Sequence, residues 1–287
     1  MKRRFWILTF FYLQSFLSAE EFIEYILDFD PMCIYIDQEY LFSIRRNQGR
    51  SLGSPYSYTT LEEFAFPFHY QNIWPFLDLQ IHRFDHGSKY AGNVGLGFRV
   101  CPEWGEQIFG FNAFYDFRNH RHGNFNQLGL GFELLGPCFN FRLNSYLPIG
   151  RKKLFESSSI TSFDAGYFVL QEDYLNSLYG VDFEVEGLIG RICCTDIYLA
   201  IGSYYYSGNK CRDDLYGARY RLSACFCDYF NLSIVDTHDC CFKNRIQAEI
   251  GITIPFCGSS SCCDLFQRIR RNELILSDRR SRWIWNY

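Results

Sequence analysis

Between Tyr90 and Leu147 the chain runs through four consecutive stretches that alternate between two kinds of side chain. In the first, Val94, Leu96, Phe98 and Val100 fall on one face and Gly95, Gly97 and Arg99 on the other. In the second, Phe109, Phe111, Ala113, Tyr115 and Phe117 oppose Gly110, Asn112, Asp116 and Arg118, with Phe114 the exception. Leu128, Leu130, Phe132 and Leu134 then oppose Gly129, Gly131 and Glu133, and Phe139, Phe141 and Leu143 oppose Asn140, Arg142 and Asn144. A period of two means β-strands, because successive Cβ atoms point to opposite faces of a sheet. Strands of about ten residues with one apolar face and one small, polar or charged face fit a transmembrane β-barrel.

Composition supports that reading. Aromatic residues make up 20% of the chain, with 30 Phe and 21 Tyr. A soluble core needs far fewer, whereas lipid-facing bands and their girdles use them. Beyond the amino terminus no run of about 18 apolar residues appears, so spanning helices are not expected. The net charge is −4, and no basic patch is large enough for nucleic acid. Residues 1–19 read as a signal peptide: Lys2, Arg3 and Arg4, then an apolar core from Phe5 to Phe16, then Leu17-Ser18-Ala19. An exported chain meets oxidising conditions, so the 13 cysteines are candidates for disulfides. The odd count leaves at least one thiol free or intermolecular, and strand cysteines also serve as small apolar residues. The adjacent pairs Cys193-Cys194, Cys240-Cys241 and Cys262-Cys263 lack zinc-ligand spacing.

In chain order, residues 20–55 read as a periplasmic leader and 56–256 as the barrel. Tyr56 to Phe66 is the expected first strand and Trp74 to Phe84 the second. Gly150 to Thr161 reads as a long polar loop, followed by runs at Phe163–Leu170 and Leu178–Leu188. Further alternating runs end with Ile246 to Ile254, whose apolar residues oppose Gln247, Glu249, Gly251 and Thr253. The total is about twelve strands, an even number that closes an antiparallel barrel with no free edge. In the last strand Glu249, Gly251, Ile254 and Phe256 form a polar-glycine-apolar-aromatic pattern. It is similar to the signal read by outer-membrane barrel-assembly machinery. Residues 257–287 are left as a C-terminal linker and tail.

Several of these stretches resemble the inverse autotransporter β-domain of intimins and invasins. The likeness rests on Phe76 to Asp85, Tyr90 to Arg99, the run Gly110-Phe111-Asn112-Ala113-Phe114-Tyr115-Asp116, Leu128 to Glu133, Leu143 to Tyr146, and Arg268 to Leu276. The abundance of cysteine resembles the disulfide-rich envelopes of chlamydia-like bacteria. The resemblance implies an all-β, antiparallel barrel of about twelve strands in the outer membrane of a Gram-negative-type bacterium. A short C-terminal linker would thread the lumen toward the surface. That family normally carries an adhesive passenger; none is expected in the residues after Leu276, and no peptidoglycan-binding module before the barrel.

The inward row is rich in charge, and such a lumen is wet and charge-balanced whatever its task. The sharper expectation is that Arg268, Arg270 and Arg271 thread it and pair with Asp182, Glu184, Glu186 or Glu249. His120-Arg121-His122 near Asp116 reads as a solvated loop. No nucleophile-base, zinc or phosphate-loop motif appears, so no catalytic, cofactor-binding or metal-ligating residue is assigned. Three classes of function stay open. The first is a surface-anchoring barrel displaying its tail or loops to a host surface ligand. The second is a small pore or structural outer-membrane protein, disulfide-linked to partners in the envelope. The third is an outer-membrane hydrolase. The partners implied are outer-membrane lipid and the barrel-assembly machinery.

Overall fold

A computed structural model describes residues 34–35, 39–86, 89–102, 107–164, 167–193, 195–207, 214–226, 229–256 and 265–286. The expected signal peptide lies outside the described residues, as do seven of the cysteines. Besides a two-residue pair, Ile34–Tyr35 with His69–Tyr70, the strands in chain order are β1 Glu39–Gly49, β2 Tyr58–Phe66, β3 Ile73–Phe84, β4 Tyr90–Val100, β5 Ile108–His120, β6 Gly123–Leu135 and β7 Phe139–Ile149. There follow β8 Lys153–Asp164, β9 Tyr167–Ser177, β10 Tyr179–Ile192, β11 Thr195–Ser207, β12 Leu215–Phe226, β13 Phe230–Asp239 and β14 Lys243–Phe256. The last is β15 Ser277–Asn286.

Strands β1–β7 and β10–β14 pair antiparallel with their neighbours, and β7 pairs directly with β10 from Tyr146↔Gly180 to Phe139↔Gly187. The wall closes where β14 meets β1, in register from Gly49↔Gln247 to Tyr40↔Phe256. Twelve strands thus form a barrel with every ladder bonded on both sides, as hydrocarbon requires of backbone groups. Its outer face carries Leu61, Ile81, Leu96, Leu130, Phe183, Ile201, Leu222, Ile234 and Ile250, all exposed. The lipid-facing alternation read from the sequence is present in each of these strands. Phe114 departs from it because its ring turns into the lumen, where it is buried.

Two corrections concern which strands make the twelve. The expected leader, residues 20–55, contributes β1. Its alternation is hard to see because Ser43, Arg45 and Asn47 point into the lumen while Arg46 lies on the outer face. Arg46 sits toward the strand's end and pairs with Asp85, Nη1 to Oδ1 at 2.7 Å, where the wall leaves the apolar band. Conversely, Phe163–Leu170 is no part of the barrel. It lies in a hairpin, β8–β9, that also takes up the expected Gly150–Thr161 loop. That hairpin and β15 form a separate three-stranded sheet, with β9 in the middle. The expected solvated loop at His120-Arg121-His122 shrinks to a tight turn, since β5 runs to His120 and β6 starts at Gly123.

The rim where β1 begins and β14 ends is called proximal here; the hairpin stands at the opposite, distal rim. Between β1 and β2 the chain folds into the distal lumen and buries Leu52. Gly53 packs so closely that a Cβ there would lie 2.6 Å from the Leu274 Cβ. A cation in the outer belt should cost according to depth. Leu130→Arg, at mid-wall, is expected to lose about 2–4 kcal/mol of refolding free energy in a bilayer, and Ile246→Arg, near the distal rim, only about 0–1 kcal/mol. Refolding titrations of the two variants compare these costs directly.

Candidate functional site

Leu265–Leu276 crosses the lumen as an extended segment with no strand partner. Twelve residues reach at most about 40 Å, more than the ~25 Å apolar band of such a barrel. One pass therefore carries the chain from the proximal to the distal rim. A backbone that leaves a ladder must find other partners, and here the wall's side chains supply them. The Arg99 guanidinium donates to the carbonyls of Leu265 and Gln267, the latter at 2.6 Å. Asn144 donates to the Arg270 carbonyl at 3.2 Å, Asn93 to that of Glu273 at 2.9 Å, and Arg118 to that of Ile275 at 2.6 Å. The Asn272 amide donates to the Tyr146 hydroxyl at 2.7 Å. At the distal rim the Leu178 amide donates to the Leu276 carbonyl at 3.1 Å, and from Ser277 onward a regular ladder with β9 takes over.

The apolar side chains of the segment each find an aromatic-lined seat. Leu265 and Ile269 pack among Phe64, Phe66, Phe76 and Phe114. Leu274 sits with Tyr58 and Phe84, and Ile275 with Phe125 and Leu154. Leu276 joins Leu52, Tyr146, Leu178, Tyr204, Tyr206 and Leu215 in a cluster that stops the distal lumen. Burial of a Leu or Ile side chain contributes roughly 1.5–3 kcal/mol, so these seats also fix the register of the crossing.

The expected arginine pairs divide. Arg268 reaches Glu249 at 2.8 Å and also bonds Glu273, while Arg270 approaches Glu249 only to 3.7 Å. Arg45 on β1 joins the same group, at 3.0 Å from Glu62, 3.3 Å from Glu249 and 3.1 Å from Glu273. Arg271 goes elsewhere. It makes a two-pronged pair with Asp116, at 2.7 and 2.5 Å, and lies over the Phe114 ring. Gly129 leaves room for it, since a Cβ there would sit 2.7 Å from its Nη2. Asp182, Glu184 and Glu186 pair instead with the wall: Arg219 at 3.8 Å from Asp182, Arg221 at 2.6 Å from Glu184, and Arg142 at 2.6 Å from Glu186. Of the remaining expected residues, Gly251 backs onto Arg45 and Ile254 faces outward. The Phe256 side chain lies outside the described residues.

Sequence reasoning missed Asp116 as the partner of Arg271, and Asn93, Arg99 and Arg118 as donors to the tail's carbonyls. Their signal was an inward polar position in an otherwise apolar or glycine-rich strand. It also missed Glu273, which lies within the segment and pairs with Arg45 and Arg268. Beyond the rim, Arg279 pairs with Glu156 at 2.5 Å. Hydrogen bonds from Gln171, then Ser281 and Ser157, hold the Asp173 carboxyl below the ordinary carboxylate range.

Residues 67–179 match the family described as the inverse autotransporter, beta-domain. No curated protein matches the chain. A membrane protein solved in work on the mechanism of in-meso crystallization is 14% identical and superposes with a TM-score of 0.63, covering 84% of this chain and 100% of that one. It shares the fold. The translocator domain of autotransporter NalP from Neisseria meningitidis is 8% identical, with a TM-score of 0.37 over 85% of this chain and 96% of that one, too far to support an argument. The match over residues 67–179 is to the inverse autotransporter β-domain, and together with the closed twelve-stranded wall it places the chain in the outer membrane of a Gram-negative-type envelope.

Asp116 and Arg271 are nearly excluded from solvent. Asp116→Asn or Arg271→Gln alone should destabilise the barrel by about 3–5 kcal/mol, because each strands a buried charge, and the double variant should regain most of that loss. Denaturant unfolding of the three variants in detergent measures the cycle.

Proposed function

We propose that this inverse autotransporter β-domain is an anchoring and display barrel. It holds its own C-terminal segment across the outer membrane and presents the tail, together with the β8–β9 hairpin, at the cell surface. The observation that carries the reading is the path of Leu265–Leu276, which brings Ser277–Asn286 to the rim opposite the start of β1. The resemblance in the strands and in Arg268 to Leu276 supports the proximal rim as periplasmic.

The distal sheet suits display. β15 adds to the hairpin through ten paired positions, from Phe168↔Asn286 to Ser177↔Ser277, so the emerging chain is held by backbone bonds that any sequence can make. Arg282 and Trp283 stand exposed there and offer a basic, aromatic surface to a host ligand. The final strand, with Glu249, Gly251, Ile254 and Phe256, is the mark we assign to recognition by the barrel-assembly machinery. Against an open pore stands the lumen itself, occupied by the linker and stopped distally by the cluster around Leu276. The thiols of Cys138, Cys193, Cys240 and Cys241 are exposed at the rims and available for links to envelope partners.

An epitope tag placed after Tyr287 tests orientation. On intact cells, added protease should remove the tag while a tag in the periplasm stays protected. A C-terminal tag that survives until the outer membrane is permeabilised would refute display.

A further inference from the structure

The threaded segment does not fill the lumen evenly. It leans on the aromatic wall of β2–β6 and leaves a cavity of about 90 Å³ on the side of β12–β14. Arg268 and Arg270 also line a larger vestibule of about 660 Å³ at the proximal rim, so the two spaces adjoin at these residues. Its lining is of nearly one sign, with seven arginines against two glutamates, Glu249 and Glu273. Both glutamates already accept from Arg268.

Arg50 is exposed at the rim; among the buried arginines of the lining, three present open donors. Arg219 comes no closer than 3.8 Å to Asp182, and Arg270 no closer than 3.7 Å to Glu249. Neither guanidinium donates a hydrogen bond to a described residue. Arg221 uses Nη2 on Glu184 and Glu186, while its buried Nε has no partner. Each guanidinium carries five N–H donors, and leaving buried donors without acceptors is costly. An oxyanion supplies acceptors and also negative charge, in a lining of seven arginines and two glutamates. The Ser233 hydroxyl lies on the same wall.

We propose that this cavity binds a small free oxyanion of the phosphate or sulfate class, held by Arg219, Arg221 and Arg270. Planar guanidinium forks match the oxygen pairs of such an ion. Arg270 belongs to the threaded segment, whereas Arg219 and Arg221 belong to β12. The ion therefore bridges linker and wall, and its occupancy sets how firmly the segment is held on the wet side of the lumen.

The test uses the full chain refolded in detergent, with inorganic phosphate as the probe. At fixed ionic strength, exchanging chloride for phosphate should raise the thermal unfolding midpoint, by ~3–5 °C per ten-fold increase above the dissociation constant. Arg270→Gln should abolish that rise, read against the variant's own midpoint in chloride. Arg219→Gln should weaken the response. Equilibrium dialysis of phosphate against the unaltered protein should give close to one ion per barrel, which keeps the idea testable if a variant fails to fold. A midpoint that follows ionic strength whatever the anion, an undiminished response in Arg270→Gln, or no bound phosphate in dialysis would each overturn the site. None of these readouts depends on which rim faces the surface.

Discussion

An extended chain inside a barrel has the same difficulty as a strand edge in lipid: its carbonyls need donors. The wall cannot offer a ladder, because each barrel strand is already bonded on both sides. The donors must then be side chains long enough to reach inward and fixed enough to stay there. Arg99, Arg118, Asn93 and Asn144 meet that need on four inward positions of β4, β5 and β7. This explains why Arg99 and Arg118 sit among the rings of the lumen's aromatic side. A wall without such donors would leave the segment's carbonyls bare, at roughly 1–3 kcal/mol for each unsatisfied group.

Charge follows from that choice. Arginines recruited as carbonyl donors bring positive charge into a confined space, and carboxylates must be near. Arg99 accordingly keeps Glu133 at 3.2 Å while it binds the linker. The group of Arg45 and Arg268 with Glu62, Glu249 and Glu273 ties together three wall strands and the segment. Glycine completes the geometry. Gly95 leaves space for the Phe114 ring and Gly129 for the Arg271 guanidinium. The glycine alternation shapes a seat for the crossing chain.

The strands were legible because lipid imposes a strict rule on one face, and that rule is visible in any window of ten residues. Legibility failed where the rule does not apply. β1 leaves the apolar band at Arg46, so its outer face ceases to look apolar. In Leu154 to Thr161 a run of serines lies in water, without the contrast that marks a membrane strand. Its neighbour Phe163–Leu170 carries enough apolar residues to imitate a wall strand. These two misreadings cancelled in the count of twelve. The linker partners were legible as classes, arginine against carboxylate, but not as pairs. Which carboxylate meets Arg271 depends on the stagger of β5 against the segment, and stagger is set by closure of the whole wall.

The change of partner at Leu276 then gives the molecule its direction. Up to that residue the segment is held by side chains particular to this lumen; from Ser277 it is held by backbone pairing with β9. Side-chain docking fixes one register, since each of Leu265, Ile269, Leu274 and Ile275 has its own seat. Backbone pairing alone would tolerate a slip, and a slip of one residue would exchange the two faces of β15. The lumen therefore sets the register that the outer sheet inherits. A chain anchored in this way can vary beyond Ser277 without loosening its crossing.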